Sequence, residues 1–200
     1  MAFQQFTFPQ VALDLGLTLN DADLYSTVPT EEVRPEFLAT VSEGSDLASA
    51  INTEKARSEF VIAPVLFELR RMLDKKFGLF SGVELNADSS RGLNGTCDFL
   101  ITRSPHQHFI SSPLLAVVEA KNDNLRYGLG QCIASMIAIQ VINQEAKDKS
   151  TKVYGVVSTG SLWRFLQCKG SDVTIDLVEY RVDKMEKIMG ILRSIIQSPP

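Results

Sequence analysis

The segment from Leu114 to Ala120 constrains the fold of this chain more than any other part of the sequence. Its side chains are apolar at consecutive positions until Glu119, whereas a strand with one face in water alternates apolar and polar residues. Such a run is typical of a strand that is buried on both faces of a sheet. The sequence therefore predicts an α/β fold in which a central mixed β-sheet is flanked by helices.

Patterns on either side of this segment predict the other elements of the fold. Runs rich in β-branched and aromatic residues predict five further strands, at Gly82–Ala87, Cys97–Thr102, Val153–Ser158, Trp163–Lys169 and Val173–Val182. A hairpin turn is expected at Thr159-Gly160. Helical spacing of apolar residues predicts two later helices, at Tyr127–Ala146 and Lys184–Gln197.

An earlier helical pattern starts at Asn52, where Thr53 is a suitable N-cap. Pro64 disturbs this pattern, because a proline inside a helix removes one backbone hydrogen bond. Either the helix is kinked there or a second helix begins near Ile62.

The chain has 200 residues, a length that fits one compact domain. Residues 1–51 show no strong period, so we expect an N-terminal arm that packs on a domain formed by residues 52–200. We find no internal repeat and no low-complexity linker.

The composition argues against several classes of protein. The longest apolar stretches end well before the ~20 positions that a membrane span needs, and no signal-peptide pattern is present, so we expect a cytoplasmic protein without a membrane partner. The three cysteines include no CxxC pair, which also favours a reducing cytoplasm. A net charge of −4 argues against a general nucleic-acid coat protein, although a nuclease with a local basic groove stays open. The motifs of serine hydrolases and P-loop NTPases are missing from the sequence.

The central strand ends in two charged residues that need partners. Glu119 and Lys121 are two positions apart, so their side chains point to the same face. Asp98 is a lone carboxylate in a neighbouring predicted strand, and strand pairing would bring it beside Glu119. Two converging carboxylates repel each other, and a hard cation such as Mg²⁺, which prefers oxygen ligands, would relieve that repulsion.

The sequence contains Asp98, twenty intervening residues and then Glu119-Ala120-Lys121. This arrangement resembles the signature of the PD-(D/E)xK nuclease superfamily. Cys97 stands where the motif has its proline, the most dispensable part of the signature. A second resemblance is to the opening helix of N-terminal nuclease domains in type I restriction subunits and related uncharacterised bacterial proteins. It rests on Thr53-Glu54, Arg57 and the run from Ile62 to Leu66. The resemblance covers about residues 52–182, so residues 52–200 are expected to be a nuclease-like domain.

This resemblance implies a restriction-endonuclease-like fold with an α-β-β-β-α-β core. It implies that Asp98, Glu119 and the carbonyl of Ala120 are ligands of Mg²⁺ or Mn²⁺, and that Lys121 orients or helps to deprotonate the attacking water. Glu54 would complete or support the metal site, with Glu59 as the weaker candidate. Gln131 resembles the polar helix residue that contacts the site in several branches of the superfamily.

Three functions remain open at this point. The favoured one is a metal-dependent phosphodiesterase, endonuclease-like, that hydrolyses nucleic acid, with DNA favoured over RNA. A catalytically silent nuclease-fold module that binds nucleic acid or a partner protein is the first alternative, because a fold does not fix a function. A structural subunit or regulator of a restriction or defence-type complex is the second. A homodimer is expected if both strands of a duplex are to be cut.

Overall fold

The computed structural model describes residues 3–148 and 152–199 of the chain. Its α-helices are α1 (Gln10–Leu15), α2 (Pro35–Ile51), α3 (Glu54–Arg57), α4 (Ala63–Met72), α5 (Leu125–Glu145) and α6 (Met185–Ile196). Its strands are β1 (Thr18–Ala22), β2 (Gly78–Asp88), β3 (Leu93–Thr102), β4 (Leu114–Ala120), β5 (Val153–Ser158), β6 (Leu162–Lys169), β7 (Asp172–Asp176) and β8 (Tyr180–Arg181).

The strands of the described residues form one eight-stranded sheet in the order β1-β7-β6-β5-β4-β3-β2, with β8 paired to β6. All seven residues of β4 are buried, which confirms the prediction of a central strand. β4 pairs antiparallel with β3 and parallel with β5, and α5 is the crossover helix that a parallel pair requires. The mixed sheet, its flanking helices and the order from α4 to β5 agree with the predicted restriction-endonuclease-like α/β fold.

The sheet separates two hydrophobic layers. On one face α2, α4 and α6 pack over side chains such as Val118 and Phe165. On the other face α5 covers side chains such as Val117 and Leu166. Among the described residues, α5 is the one helix whose length and mean hydropathy of 1.3 would suit a membrane span, but 72% of its apolar window is buried inside this fold. The apolar side chains of α5 are therefore explained by the hydrophobic core that they help to form.

The opening helical region is built from three consecutive pieces. Thr53 caps α3 by accepting a hydrogen bond from the backbone N–H of Ala56 at 3.1 Å, as predicted. α3 continues into a π-helical turn at Ser58–Ile62, and α4 then begins at Ala63. Pro64 lies in the first turn of α4, where its missing N–H is not needed. α4 begins at Ala63, close to the predicted second start near Ile62, but the residues at both junctions have helical backbone angles, so the helical path continues from α3 through the π-helical turn.

Residues before Asn52 have more regular structure than their sequence pattern indicated. β1 is an edge strand that pairs in parallel with β7, with Thr18 opposite Asp172. α2 is a 17-residue helix whose side chains Phe37 and Val41 join the core. The sequence of β1 lacks a clear alternation of apolar and polar residues because all five residues are exposed or half-buried at the edge of the sheet.

Some predicted strand limits were wrong. β2 and β3 begin earlier than predicted, at Gly78 and Leu93. The predicted strand Val173–Val182 is interrupted and forms β7 and β8. Asp176 explains the interruption, because its side chain accepts a hydrogen bond from the backbone N–H of Val178 at 3.4 Å, a local contact that favours a turn over a continuing strand.

Candidate active site

Asp98 and Glu119 meet at the end of β4. The antiparallel register of β3 and β4 pairs Phe99 with Val118, so the next pair along the two strands is Asp98 and Glu119. The Asp98 carboxylate accepts a hydrogen bond from the backbone N–H of Ala120 at 2.7 Å, and its negative charge acts on the Glu119 carboxyl. The two acids therefore converge, as the spacing in the sequence indicated.

Glu119 is fully buried and is held by α5. The side-chain amide of Gln131 donates a hydrogen bond to one carboxylate oxygen at 2.8 Å, and the hydroxyl of Ser135 donates to the other at 3.3 Å. Burial raises the pKa of the Glu119 carboxyl well above its ordinary value, and the negative charge of Asp98 raises it further. The positive charge of Lys121 opposes this rise. A cation beside this carboxylate would favour its ionised form.

Lys121 directs its amine toward the same end of the sheet. Its Nζ donates to the backbone carbonyl of Ala120 at 2.7 Å and lies 3.5 Å from a carboxylate oxygen of Glu54. The Lys121 side chain is only 13% exposed, and its backbone N–H donates a hydrogen bond to the carbonyl of Ser158 at 2.8 Å. The backbone of Lys121 is thus fixed by β5, and its amine is oriented by α3.

Asp98, Ala120 and Glu54 border an open cleft of about 420 Å³, whereas Glu119 and Lys121 are not among its lining residues. Its walls come from α3, the π-helical turn, β2, β3 and β4. The lining residues are Glu54, Lys55, Ser58, Glu59, Ser81, Gly82, Asp98 and Ala120. Both candidate helical acids line the cleft, but only Glu54 contacts Lys121, whereas Glu59 pairs with Lys55 at 3.4 Å.

The donor groups at this cleft suit a hard divalent cation. The described residues contain no group of three or more His, Cys, Asp or Glu side chains that could hold a metal by themselves. Asp98, Glu119 and the carbonyl of Ala120 supply two carboxylates and one carbonyl, all oxygen donors. Mg²⁺ commonly binds through one or two carboxylates, with water and substrate phosphate as its other ligands. These oxygen donors therefore have the chemistry that Mg²⁺ or Mn²⁺ prefers, with Asp98 and Ala120 lining the open cleft and Glu119 fully buried.

Two contributors to the site were not predicted as site residues. Ser135 lies one helical turn after Gln131, so the helical period could have identified it as a second polar residue facing Glu119. Arg57 donates to the Asn122 side chain at 3.1 Å and to the carbonyl of Thr159 at 3.0 Å. It thereby joins α3 to the loop after β4 and to the turn after β5. No local signal in the sequence predicts those two partners.

Gly128 allows α5 to approach the Lys121 side chain. A Cβ atom at this position would lie 2.5 Å from a methyl carbon of Val157 and 2.8 Å from Cγ of Lys121. We expect Gly128→Ala to lower the free energy of unfolding by about 1 kcal/mol, because overpacking outweighs the ~1 kcal/mol gain of alanine over glycine in a helix. Thermal unfolding measures the stability effect. Any phosphodiesterase activity should also fall, because the stem of Lys121 must move.

Gly190→Ala is a matched control for this prediction. Gly190 lies in α6 and its added Cβ would meet the backbone carbonyl of Pro29, away from the cleft. This variant should lose stability as well, but its folded fraction should keep the parent activity. Equal losses of activity in both variants would contradict a specific role of Gly128 beside Lys121.

Comparisons with known proteins leave the family of this chain open. No protein-family model matches the sequence, and no curated protein matches it significantly. A solved structure described as "cryoEM structure DrdV-DNA complex" is similar at 12% sequence identity with a TM-score of 0.47, over 82% of this chain and 14% of that chain. A likeness at this level carries no argument about function, which has to be inferred from the geometry of the site.

Proposed function

We propose that this chain is a Mg²⁺-dependent phosphodiesterase that hydrolyses nucleic acid, with DNA as its substrate. The observation that carries the proposal is the convergence of Asp98, Glu119 and the Lys121 amine at one end of β4, where Asp98 lines an open cleft. An acid pair and a cationic amine at the end of a buried strand are costly to bury unless they are paired, hydrogen-bonded or bound to a metal. Two acids with a nearby lysine suit a phosphate ester attacked by water.

Each residue has a role that follows from its contacts. Asp98, Glu119 and the carbonyl of Ala120 would hold the cation, which when bound neutralises phosphate charge and lowers the pKa of a bound water. Gln131 and Ser135 fix the orientation of Glu119 through their hydrogen bonds.

Lys121 acts on the substrate side of the site. Its amine can orient the attacking water and stabilise the negative charge that develops on the phosphate. The Glu54 carboxylate, 3.5 Å from this amine, pairs with it and draws it toward the cleft. Because Glu54 is about half exposed, it can also share a ligand that enters the cleft.

The proposal is tested by cleavage of DNA in the presence and absence of metal. Supercoiled plasmid and labelled linear DNA are incubated with the protein and Mg²⁺ or Mn²⁺, then with excess chelator, and then with metal restored. Cleavage should depend on the metal and return when it is restored. If neither DNA nor RNA is cut with either metal, the hydrolase proposal fails, and binding without cleavage would support the silent-module alternative.

Metal binding gives a second test that does not require activity. Asp98→Asn should weaken Mn²⁺ binding at least ~10-fold in calorimetric titration, since even indirect metal partners contribute this much. Asp74→Asn is the matched control, because Asp74 is exposed and pairs with Lys76 instead of the cleft residues. Unchanged Mn²⁺ affinity in Asp98→Asn would contradict the assignment of Asp98 as a ligand.

A further inference from the structure

The first turn of α5 carries an exposed aromatic side chain next to the candidate site. Tyr127 is 79% exposed, although large aromatic side chains usually bury most of their surface. It lies four residues before Gln131, and residues four apart lie on the same face of a helix. Gln131 is buried against Glu119, so Tyr127 stands one turn farther out on the same helix face.

The backbone next to Tyr127 is fixed against the site. Gly128 packs directly on the Lys121 side chain, and Asn124 caps the helix by accepting a hydrogen bond from the N–H of Arg126 at 2.8 Å. The aromatic ring therefore projects into solvent from a rigid turn beside the candidate lysine. Tyr127 is therefore adjacent in the chain to the glycine that packs on the candidate lysine, and a nucleotide that extends past Lys121 toward α5 would approach this ring.

Arg126 adds a positive charge at the adjacent position. Its guanidinium lies over the ring of Phe8, 5.8 Å from the ring centroid, and it forms no ion pair with any residue in the described ranges. The segment that contains Phe8 is itself held against α5, because the backbone of Phe6 packs on Gly130. The cation is thus positioned by a ring and remains available for a phosphate.

We propose that Tyr127 and Arg126 form a binding site for a nucleotide of single-stranded DNA next to the scissile phosphate. The inference rests on the proposed function, in that it assumes a nucleic-acid substrate at the cleft. Tyr127 stacks on one base, and Arg126 contacts the backbone phosphate. Only an unpaired base exposes its face to an aromatic side chain, because bases in a continuous duplex stack on one another.

The overall charge agrees with this substrate class. A protein that grips a long duplex needs many cationic contacts to phosphates, whereas this chain has a net charge of −4. Stacking on an aromatic ring contributes to affinity without adding charge. A short single strand held by one ring and a few cations is therefore the form of DNA that this surface suits best.

The test measures binding without catalysis. All variants are made in a Lys121→Ala background with chelator present, and fluorescence anisotropy reports their affinity for a labelled oligothymidylate and for a duplex of equal length. The single strand should bind more tightly. Tyr127→Ala should weaken its binding by on the order of tenfold, and Tyr127→Phe should stay near the parent value because the ring is retained.

Two further variants separate stacking from charge and from general exposure. Phe67→Ala is the matched control, because Phe67 is also an exposed aromatic residue, 65% exposed on α4, and its loss should not affect binding. Arg126→Gln should weaken binding by a similar factor for single strands of any sequence. The slope of log affinity against log salt concentration should fall by about the value of one phosphate contact. The Arg126 variant is thus recognised by its changed salt dependence, and the Tyr127 variants by their dependence on the aromatic ring.

The nucleotide site and the hydrolase activity can fail independently of each other. If metal-dependent cleavage occurs but duplex is bound as tightly as single strand and Tyr127→Ala has no effect, the nucleotide site is overturned and the nuclease is retained. If the single strand binds through Tyr127 but no nucleic acid is cut, the hydrolase is overturned and the binding site is retained.

Discussion

Lys121→Ala is expected to lower the rate of Mg²⁺-dependent DNA cleavage by about two orders of magnitude or more, the usual effect of removing a preorganised charged group from a transition state. The carboxylates of Asp98 and Glu119 remain in place in this variant, so Mn²⁺ binding should persist. The affinity for metal can even rise slightly, because a cation near two carboxylates has been removed. Single-turnover cleavage with saturating metal measures the chemical effect.

Lys121→Met and Lys76→Ala are the controls for this prediction. Methionine keeps an unbranched apolar stem for the contact with Gly128 but lacks the charge, so it should be as inactive as alanine. Lys76 is exposed and pairs with Asp74 away from the cleft, so Lys76→Ala should keep full activity. If Lys121→Ala cleaves as fast as the parent protein, the activity comes from a different site or from a contaminant.

Trp163→Ala is expected to lower the free energy of unfolding by about 3–5 kcal/mol. Trp163 is fully buried and is one of the largest side chains of the core. Its indole N–H also donates to the carbonyl of Gly160 at 3.1 Å, in the turn that receives the hydrogen bond from Arg57. Removing the ring leaves a cavity and an unsatisfied carbonyl, so both the core and the support of α3 should weaken.

Denaturant unfolding followed by far-ultraviolet circular dichroism measures this loss, since the chain has one tryptophan and the variant lacks that fluorophore. Trp163→Phe keeps much of the ring volume and should lose less stability than Trp163→Ala. Phe67→Ala removes an exposed ring and should change the stability by less than about 0.5 kcal/mol. A loss below about 1 kcal/mol in Trp163→Ala would contradict the role of this ring in the core.

Features set by local patterns were predictable from the sequence. The unbroken apolar run of β4 identified a strand buried on both faces, and the spacing of Glu119 and Lys121 identified their common face. The proximity of Asp98 followed from pairing of neighbouring strands. Gln131 and Glu54 came from the resemblance to a nuclease superfamily, and the structure places them beside Glu119 and Lys121 respectively. Whether they act in catalysis stays a prediction.

Features set by distant contacts were not predictable in this way. Ser81 and Gly82 line the cleft, but Gly82 has a positive φ of 64°, which interrupts the alternation by which a strand is recognised. Arg57 joins partners that lie far from it in the sequence. The limits of β7 and β8 depend on Asp176, whose carboxylate also accepts a hydrogen bond from the N–H of Leu24 at 3.2 Å. Such contacts exist only once the tertiary fold has formed.

The pairing of β1 with β7 has a consequence for the order of folding. Thr18 and its neighbours are synthesised long before Asp172 and the rest of β7, yet β1 can enter the sheet only when β7 is in place. Closing a contact between such distant segments is slow, because chain entropy has to be lost before the contact forms. β1 should therefore dock late, after the neighbouring strands have assembled. On the ribosome, the segment that carries β1 must wait without its partner while nearly all of the sheet is being made.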